Sequence, residues 1–394
     1  MNPSMVMTVG GFLCTSNRCQ PARLLRLWDF ISQEDKQMNT RTERIMKALE
    51  ERGLSQMLVV DPMSIYYMTG IYIEPYERFF GLLLRKNGDH VLFLNNLFTI
   101  PDGVELKQVW YSDTDPVMDY VMEYIDKGSK LGVDKDIKAR FLLPLMENQA
   151  ATGFENSSLA VDLTRGIKDE EEKEKMRVAS QINDQAIARF KELVKEGITE
   201  KEIADQTLEI YKELGAEAFS FDPIVSFGAN AADPHHMPDD TVLKAGDVIL
   251  FDVGCIKDGY CSDMTRTFCY KEVTAKNKEI YDLVLNANRS AIAKIKPGVP
   301  LCELDKTARD IITEAGYGEG FNHRLGHFIG LSEHEFGDVS LTNETKAEPG
   351  MIFSIEPGIY LPGDTGVRIE DLVLVTEDGV EVLNSYTKEL QVIE

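Results

Sequence analysis

The sequence predicts two domains, an α/β domain followed by a larger α+β domain. Between residues 38 and 165, short apolar runs typical of strands alternate with stretches of helical periodicity. A charge run over 168–175 then leads into a long amphipathic helix. Beyond residue 220, strands, hairpins and short glycine-marked turns predominate. We therefore place the domain boundary between residues 165 and 166.

The first domain is predicted to alternate strands with helices. Strands are expected at 57–60, 80–84, 91–95 and 131–133, and helices at 44–52 and 116–125. Residues 1–37 have little periodicity and few turn signals. We therefore expect a disordered extension over 1–37 and a first domain over 38–165.

The second domain, over 166–394, is predicted to open with two helices. The charge run favours a solvated first turn for a helix over 169–193, because acidic side chains are stabilised near a helix N-terminus. Thr199 and Glu202 have the spacing of a capping box, so another helix begins there and ends near Gly215. Further helices are expected near 276–295 and 301–315.

The composition argues against several classes of protein. The 394 residues include 42 Lys and Arg against 66 Asp and Glu, a formal charge of −24. Such a surface repels phosphate backbones, so no nucleic-acid partner is expected. No apolar run is long enough to predict a membrane span. The six cysteines do not have the pattern of a disulfide framework, which favours a reducing cytoplasm.

A first pair of carboxylates lies on two predicted strands. Asp252 lies in the apolar run 248–254, and Asp263 lies in the returning strand 260–268. A four-residue turn over 256–259 would place the two directly opposite each other, with Cβ atoms about 4.5–5.5 Å apart. Carboxylates that close repel unless a cation or a proton lies between them. Two unrelated strand aspartates remain the alternative for this pair alone.

A second pair has the same character. Glu356 ends an apolar strand and Glu370 begins the next, and a hairpin centred on Gly363 places them opposite each other. Five of the six histidines lie between residues 235 and 334, and glycines flank His327, as a close backbone approach requires. Four carboxylates and one imidazole suit two divalent ions, whose charge of +4 balances −4. A water between such ions has a pKa of about 7.

These segments resemble a known family. FDVG, YCSDMTRTF, HRLGHFIGL, SIEPG and GVRIED stand in the order found in the pita-bread metallopeptidases, which include prolidase, aminopeptidase P and methionine aminopeptidase. The resemblance runs from about residue 166 to the end of the chain. The preceding domain, including YYMTG at 66–70, resembles the creatinase-type N-terminal domain, which favours the proline-directed members. The resemblance implies a creatinase-like α/β domain followed by an α+β pita-bread catalytic domain.

The resemblance also implies roles for individual residues. It implies five metal ligands, namely Asp252, Asp263, His327, Glu356 and Glu370. Glu356 is in addition the expected proton acceptor, and His334 resembles the histidine that stabilises the tetrahedral intermediate. His235 resembles a catalytic histidine that lines the substrate pocket, and His323 matches a further pocket histidine. Arg368 matches the arginine beside the last ligand and is expected to bind substrate.

The function implied by the resemblance is a dinuclear metal-dependent exopeptidase that hydrolyses Xaa-Pro bonds. A prolidase, which is limited to dipeptides, is the leading expectation, and aminopeptidase P, which accepts longer peptides, is the alternative. Manganese is the leading metal because hard oxygen ligands dominate, with cobalt, zinc and iron as alternatives. Small proline-containing peptides are the expected substrates, and the family relationship implies a homodimer.

Two other classes of protein are alternatives for the same residues. A creatinase-like hydrolase without metals has this fold, and so has a binding module without activity. Both branches lose metal ligands, whereas this chain keeps all five of the matching residues. The sequence therefore favours the peptidase over both.

Overall fold

The computed structural model describes the backbone of residues 31–394 and the side chains of residues 40–394. The first helix covers Ile31–Glu51, so it begins well before the helix predicted over 44–52 and includes residues 31–37 of the expected extension. Residues 1–30 lie outside the described residues, and the expectation of disorder there stays a prediction. None of the described helices is long and apolar enough to span a membrane.

The first domain is built on a six-stranded mixed sheet with the order β4-β3-β2-β1-β5-β6. Its strands are β1 Gln56–Val59, β2 Gly81–Arg85, β3 Val91–Asn95, β4 Lys107–Tyr111, β5 Leu131–Val133 and β6 Phe154–Asn156. Its helices are α1 Ile31–Glu51, α2 Pro62–Thr69, α3 Val117–Tyr124, α4 Ala139–Glu147 and α5 Ser158–Gly166. The four predicted strands are confirmed. Sequence analysis missed β4 and β6, which are only partly buried and so lack a continuous apolar run.

The second domain has two pairs of helices and several small sheets. Its helices are α6 Glu170–Leu193, α7 Glu200–Glu213, α8 Ala275–Lys294 and α9 Leu301–Glu314. Its strands are β7 Ala218–Phe219, β8 Ile224–Phe227, β9 Val248–Val253, β10 Cys255–Lys257, β11 Tyr260–Cys261, β12 Met264–Tyr270, β13 Gly326–Phe328, β14 Glu335–Val339, β15 Ile352–Ile355, β16 Gly358–Leu361, β17 Thr365–Arg368, β18 Asp371–Val375, β19 Val380–Val382 and β20 Val392–Ile393. The described residues also form 3-10 turns at Gly228–Ala232 and Gly318–Gly320.

Two sheets of the second domain carry most of the predicted site. Their strand orders are β20-β12-β9-β8 and β14-β13-β15-β18-β19. Ile249 and Phe251 of β9 pack in one core with α6 and α7, whereas Val248 and Leu250 pack in another with α8 and α9. Because side chains alternate along a strand, Asp252 lies on the same face as Leu250. The carboxylate thus projects from the end of an otherwise apolar strand face.

One apolar core crosses the boundary between the domains. It combines side chains of α1, α2 and the first sheet with Ile256, Tyr260, Ile329 and Leu331 of the second domain. Tyr260 is buried there, and its hydroxyl donates a hydrogen bond to Glu172 Oε1 at 3.0 Å. The segment that follows β13 is therefore packed directly against the first domain.

The charge run at 168–175 differs from the expected solvated turn. The predicted capping box at Thr199 with Glu202 is present, and Asp169 with Glu172 forms a second one that was not predicted. Lys168 and Glu172, however, are each only 2% exposed. The expectation of a solvated turn is wrong for these two residues, because α6 begins where the first domain covers the second. Lys168 is paired with Glu335 instead, and Glu172 accepts hydrogen bonds from Asp169 N and the Tyr260 hydroxyl.

Replacement of Gly326 by alanine is expected to destabilise the fold. A Cβ atom at Gly326 would lie 1.9 Å from the carbonyl oxygen of Ser354, whereas one at Gly153 would meet nothing closer than a lysine side chain at 3.7 Å. We expect Gly326→Ala to lower the free energy of unfolding by about 1–3 kcal/mol, as overpacking does. Denaturant titration measures this, with Gly153→Ala as the matched control. Equal stability of the two variants would contradict the close approach of β13 to β15.

Candidate active site

The first predicted carboxylate pair is close in space, but in a different register from the one expected. Asp252 pairs with Thr265 on β12, so direct opposition of Asp252 and Asp263 is wrong. The reason is the turn, which has two residues rather than four: Asp258 and Gly259 have φ angles of 49° and 78°, and Lys257 pairs with Tyr260. The register differs by two residues, which preserves the strand face. Asp263 is therefore a diagonal neighbour of Asp252.

The second pair has the register that the sequence predicts. Gly358 pairs with Arg368 in the hairpin centred on Gly363, and Ile355 pairs with Asp371 beyond the break in the ladder. Glu356 and Glu370 face each other at this break.

The backbone at the break bonds to other strands. Glu370 N donates to Thr265 O at 3.2 Å, and Glu356 N donates to Leu325 O at 2.8 Å. These bonds bring the glutamate pair up against the β9–β12 ladder and the segment that leads into β13. The two carboxylate pairs thus share one site although they are about a hundred residues apart in the chain.

His327 lies on β13 between the two pairs. Its Nε2 is 3.5 Å from both Asp263 Oδ2 and Glu356 Oε1. Its Nδ1 is 3.2 Å from the carbonyl oxygen of Phe328, to which Nδ1–H donates, so Nε2 presents its lone pair to the carboxylates. One atom each of Asp263, His327 and Glu370 lies within 4.8 Å of the others.

The carboxylates of this site are buried, and three of their oxygens receive no hydrogen bond in the described structure. Asp252 Oδ1, Asp263 Oδ1 and Glu370 Oε1 are buried without a partner in the described structure. Burial, and secondarily the neighbouring carboxylates, raise the pKa values of Asp263 and Glu370 well above the ordinary range. Burial also raises the pKa of Asp252, although Arg368 opposes the change. Unpartnered buried oxygens of this kind fit a site for divalent cations.

Protein donors hold one oxygen of most of these carboxylates and leave the other free. Arg368 Nη2 donates to Asp252 Oδ2 at 2.6 Å, and Thr265 Oγ1 donates to Glu370 Oε2 at 2.7 Å. Ser354 Oγ donates to Glu356 Oε1 at 3.1 Å. Such outer hydrogen bonds orient ligands before an ion binds. Neither Thr265 nor Ser354 was singled out in the sequence, because nothing in a strand residue's type reveals the carboxylate it will face.

Arg368 is buried within the protein rather than open to solvent. Its Nε donates to Thr265 Oγ1 and its Nη1 to the Tyr360 hydroxyl, each at 2.9 Å. Together with the bond to Asp252, these contacts favour a role in holding that carboxylate. Direct binding of substrate by Arg368 stays a prediction.

His323 is linked to Arg368 through Tyr360. Its Nε2 is 3.0 Å from the Tyr360 hydroxyl, and its Nδ1 is 2.7 Å from the carbonyl oxygen of Arg324. Burial lowers the pKa of His323, so the neutral ring donates from Nδ1 and accepts at Nε2. Tyr360 was missed in the sequence, because its place in the hairpin gives no sign of the contact with His323.

His334 lies at the open side of the site, immediately before β14. Its ring centroid is 4.2 Å from that of His327, and its Nδ1 is 3.5 Å from Glu333 Oε1. Burial, with help from His327, lowers the pKa of His334 to about 4, so the ring is neutral near pH 7. Glu333 is a further acidic residue that sequence analysis missed, and burial raises its pKa to about 7.

His235 and His236 have different surroundings. His235 is exposed in the loop after the 3-10 turn, close enough to His334 to contribute to its lowered pKa. His236 Nε2 is instead 2.7 Å from the buried carboxylate of Glu200. That carboxylate also accepts from the backbone N–H groups of Phe227 and Asp239, so its oxygens are well supplied with donors. His236 therefore supports the loop that carries His235.

Family models match both domains. The model described as metallopeptidase family M24 matches residues 174–377, and the creatinase/prolidase N-terminal domain matches residues 41–167. The chain belongs to the M24 metallopeptidase family. The expected order of a creatinase-type N-terminal domain and a pita-bread domain is thereby confirmed for this M24 metallopeptidase.

Three proteins illustrate the similarity of this M24 metallopeptidase to its relatives. An uncharacterized peptidase of Staphylococcus aureus strain MSSA476 is 41% identical over 360 residues, which are 89% of this chain and 100% of that protein. The structure of an Xaa-Pro dipeptidase from Bacillus anthracis has 32% identity and a TM-score of 0.82, with coverage of 90% and 100%. The X-Pro aminopeptidase from Thermotoga maritima has 30% identity and a TM-score of 0.79, with coverage of 89% and 99%.

Removal of metal is expected to destabilise the M24 metallopeptidase more at about pH 8 than at about pH 6. Without metal, the raised pKa values of Asp263 and Glu370 mean that their favourable contribution is present at low pH and is lost as the pH rises through the folded-state values. Metal ions replace the protons as counter-charges. Thermal melting of loaded and chelated protein at both pH values measures the difference. An unchanged melting temperature after complete removal of metal would contradict this account.

Proposed function

We propose that this M24 metallopeptidase is an exopeptidase that hydrolyses Xaa-Pro bonds, with a prolidase as the leading assignment. The observation that carries the proposal is the cluster of Asp252, Asp263, His327, Glu356 and Glu370, with three buried carboxylate oxygens that lack a partner. The similarity to a dipeptidase and to an aminopeptidase that both act next to proline supports the substrate class.

Two divalent ions would occupy this cluster, held by the five residues just named. Two such ions would carry the charge that balances four carboxylates, and the predominance of oxygen ligands favours manganese, with cobalt, zinc and iron as alternatives. When bound, the ions would supply Lewis-acid polarisation of the scissile carbonyl and a water acidic enough to ionise near pH 7.

The chain's own residues would move the protons and bind the developing charge. Glu356 accepts a proton from the attacking water and passes it to the leaving proline nitrogen. Its side chain is 16% exposed, against 6% for that of Asp263. His334, neutral near pH 7, donates a hydrogen bond to the oxyanion of the tetrahedral intermediate.

The substrate pocket is proposed to lie between His235 and His323. The exposed ring of His235 lies on the side of His334, while His323 is held against Tyr360. Small proline-containing peptides are the proposed substrates, and Arg368 would act by holding Asp252. Aminopeptidase P activity on longer peptides is the alternative, which the similarity to the Thermotoga maritima enzyme supports.

We also propose a cellular setting and an oligomeric state for the enzyme. Among the described residues, Cys255, Cys261, Cys269 and Cys302 form no disulfide bond, which favours a reducing compartment such as the cytoplasm. The family resemblance supports a homodimer. The acidic composition favours peptides over nucleic acids as partners. The division into 38–165 and 166–394 is retained as the proposed domain boundary.

A panel of three peptides tests the proposed function. The panel comprises an Xaa-Pro dipeptide, an Xaa-Pro-Yaa tripeptide and a proline-free dipeptide, each assayed before chelation, after chelation and with manganese restored. We expect metal-dependent cleavage of the Xaa-Pro dipeptide alone. Cleavage of the tripeptide as well would change the assignment to aminopeptidase P. Bound metal without cleavage of either proline peptide would overturn the proposed substrate class.

Replacement of Asp263 by asparagine is expected to abolish turnover without unfolding the chain. The variant loses an anionic ligand but keeps the size of the side chain, and it relieves repulsion among buried carboxylates. We expect kcat to fall by about a hundredfold or more, while the melting temperature of the metal-free protein is unchanged or higher.

Asp258→Asn is the matched control for Asp263→Asn. Asp258 lies in the turn of the same hairpin, and its φ of 49° is one that asparagine tolerates. Its activity should equal that of the wild type. Retention of full activity by Asp263→Asn would remove Asp263 from the site.

A further inference from the structure

A polar cavity lies at the junction of the two domains, next to the candidate active site. Its volume is about 170 Å³, and its wall includes Asp162 and Arg165 of the first domain and His334 and Glu335 of the second. Most of its charged side chains are paired within the protein. Lys135 Nζ is 2.7 Å from Asp162 Oδ2, and Arg165 Nη2 is 2.5 Å from Glu335 Oε1. The cavity is therefore lined by ion pairs that connect the two domains, rather than being an open ligand site. We call the group of Arg165, Lys168 and Glu335 the charged joint.

Glu335 is the acidic centre of this joint. Its side chain is 5% exposed and receives Arg165 at Oε1 and Lys168 Nζ at Oε2, the latter at 2.8 Å. Leu331 N also donates to Oε1 at 3.1 Å. Although burial opposes ionisation, Arg165 and Lys168 together lower the pKa of Glu335 to about 2, so the carboxylate stays charged.

The two cations of the joint lie at the boundary between the domains. Arg165 lies in the last turn of α5, and Lys168 lies in the short connection to α6. Asp61 accepts from Arg165 at 3.4 Å, which balances the second positive charge. A buried group of this kind is costly to break, because removal of one partner leaves an uncompensated charge. The joint therefore fixes Glu335 relative to the first domain.

The segment 330–335 curls around the Glu335 carboxylate. A Cβ atom at Gly330 would lie 2.9 Å from that carboxylate, so a side chain there would displace it. His334, the residue before Glu335, has a side chain that is 55% exposed and whose ring contacts the ring of His327. Because the ring of His334 is only partly enclosed by other side chains, its orientation depends on the position of Glu335, the adjacent residue that the ion pairs fix.

We propose that Glu335 is a positioning residue, which Arg165 of the first domain and Lys168 of the connection to α6 hold so that His334 faces the metal ligands. In this arrangement the first domain contributes to catalysis without contact with the substrate. The inference rests on the proposed role of His334 in the hydrolysis. The proposal gives the charged joint a role in catalysis. The joint is not needed to hold the domains together, because an apolar core already joins them.

A double-mutant cycle between Glu335→Gln and His334→Ala tests the proposal. The four proteins are loaded with metal and assayed on whichever peptide of the panel the wild type cleaves fastest. We expect Glu335→Gln to lower kcat about tenfold or more with little change in KM, and to have almost no further effect in the His334→Ala background. Equal losses in both backgrounds would overturn the positioning role, because a purely structural effect does not depend on His334.

A second comparison keeps the proposal falsifiable if Glu335→Gln fails to fold. Arg165 and Arg41 each have a side chain 9% exposed in an ion pair near the junction, but Arg41 pairs with Asp169 instead of Glu335. We expect Arg165→Met to lower kcat and Arg41→Met to leave it unchanged, whatever the two do to the melting temperature. Equal kcat values for the two variants would contradict the proposal. A panel without Xaa-Pro cleavage contradicts the proposed function instead.

Discussion

The crowding of buried carboxylates in one small site is the constraint on which the rest of the catalytic domain depends. Asp252, Asp263 and Glu370 each keep a buried oxygen without a protein partner, and burial raises all three pKa values. A fold that needed only stability would not retain such groups. Arg368 and Thr265 orient two of the three carboxylates but neutralise little of the charge. The remaining demand for positive charge is the property that supports the proposed metal centre.

The sheets of the catalytic domain bring these carboxylates together at a point where the pairing of two strands is interrupted. Glu356 and Glu370 oppose each other between the β15–β18 and β16–β17 ladders, and their backbone N–H groups bond to other strands. The break frees two acidic side chains to project together, and the strand ends bring them to the β9–β12 pair. On the open side, His334 is held through Glu335 by Arg165 of the first domain and by Lys168 at the domain boundary. The two domains are thus coupled at the site itself.

Local signals in the sequence were sufficient for part of this arrangement. The capping box at Thr199 and the hairpin about Gly363 depend on residues close together in the chain, and both were predicted. The hairpin about Asp258 was placed two residues out of register, because the number of residues in a turn depends on whether Asp258 adopts a positive φ. The prediction that Asp252 and Asp263 share one face of the sheet was unaffected, because a shift of two residues keeps side chains on the same strand face.

The kinds of residues in the site, their order along the chain and the family were determined by the sequence, because ligand chemistry depends on residue type and the motifs are local. The partners of those residues depended on the folded chain. Tyr360 beside His323, Thr265 beside Glu370 and the burial of Lys168 against Glu335 all join residues distant in sequence. Their proximity results from strand pairing and domain packing, which sum many weak contacts over the whole chain. A local sequence pattern therefore does not reveal these contacts.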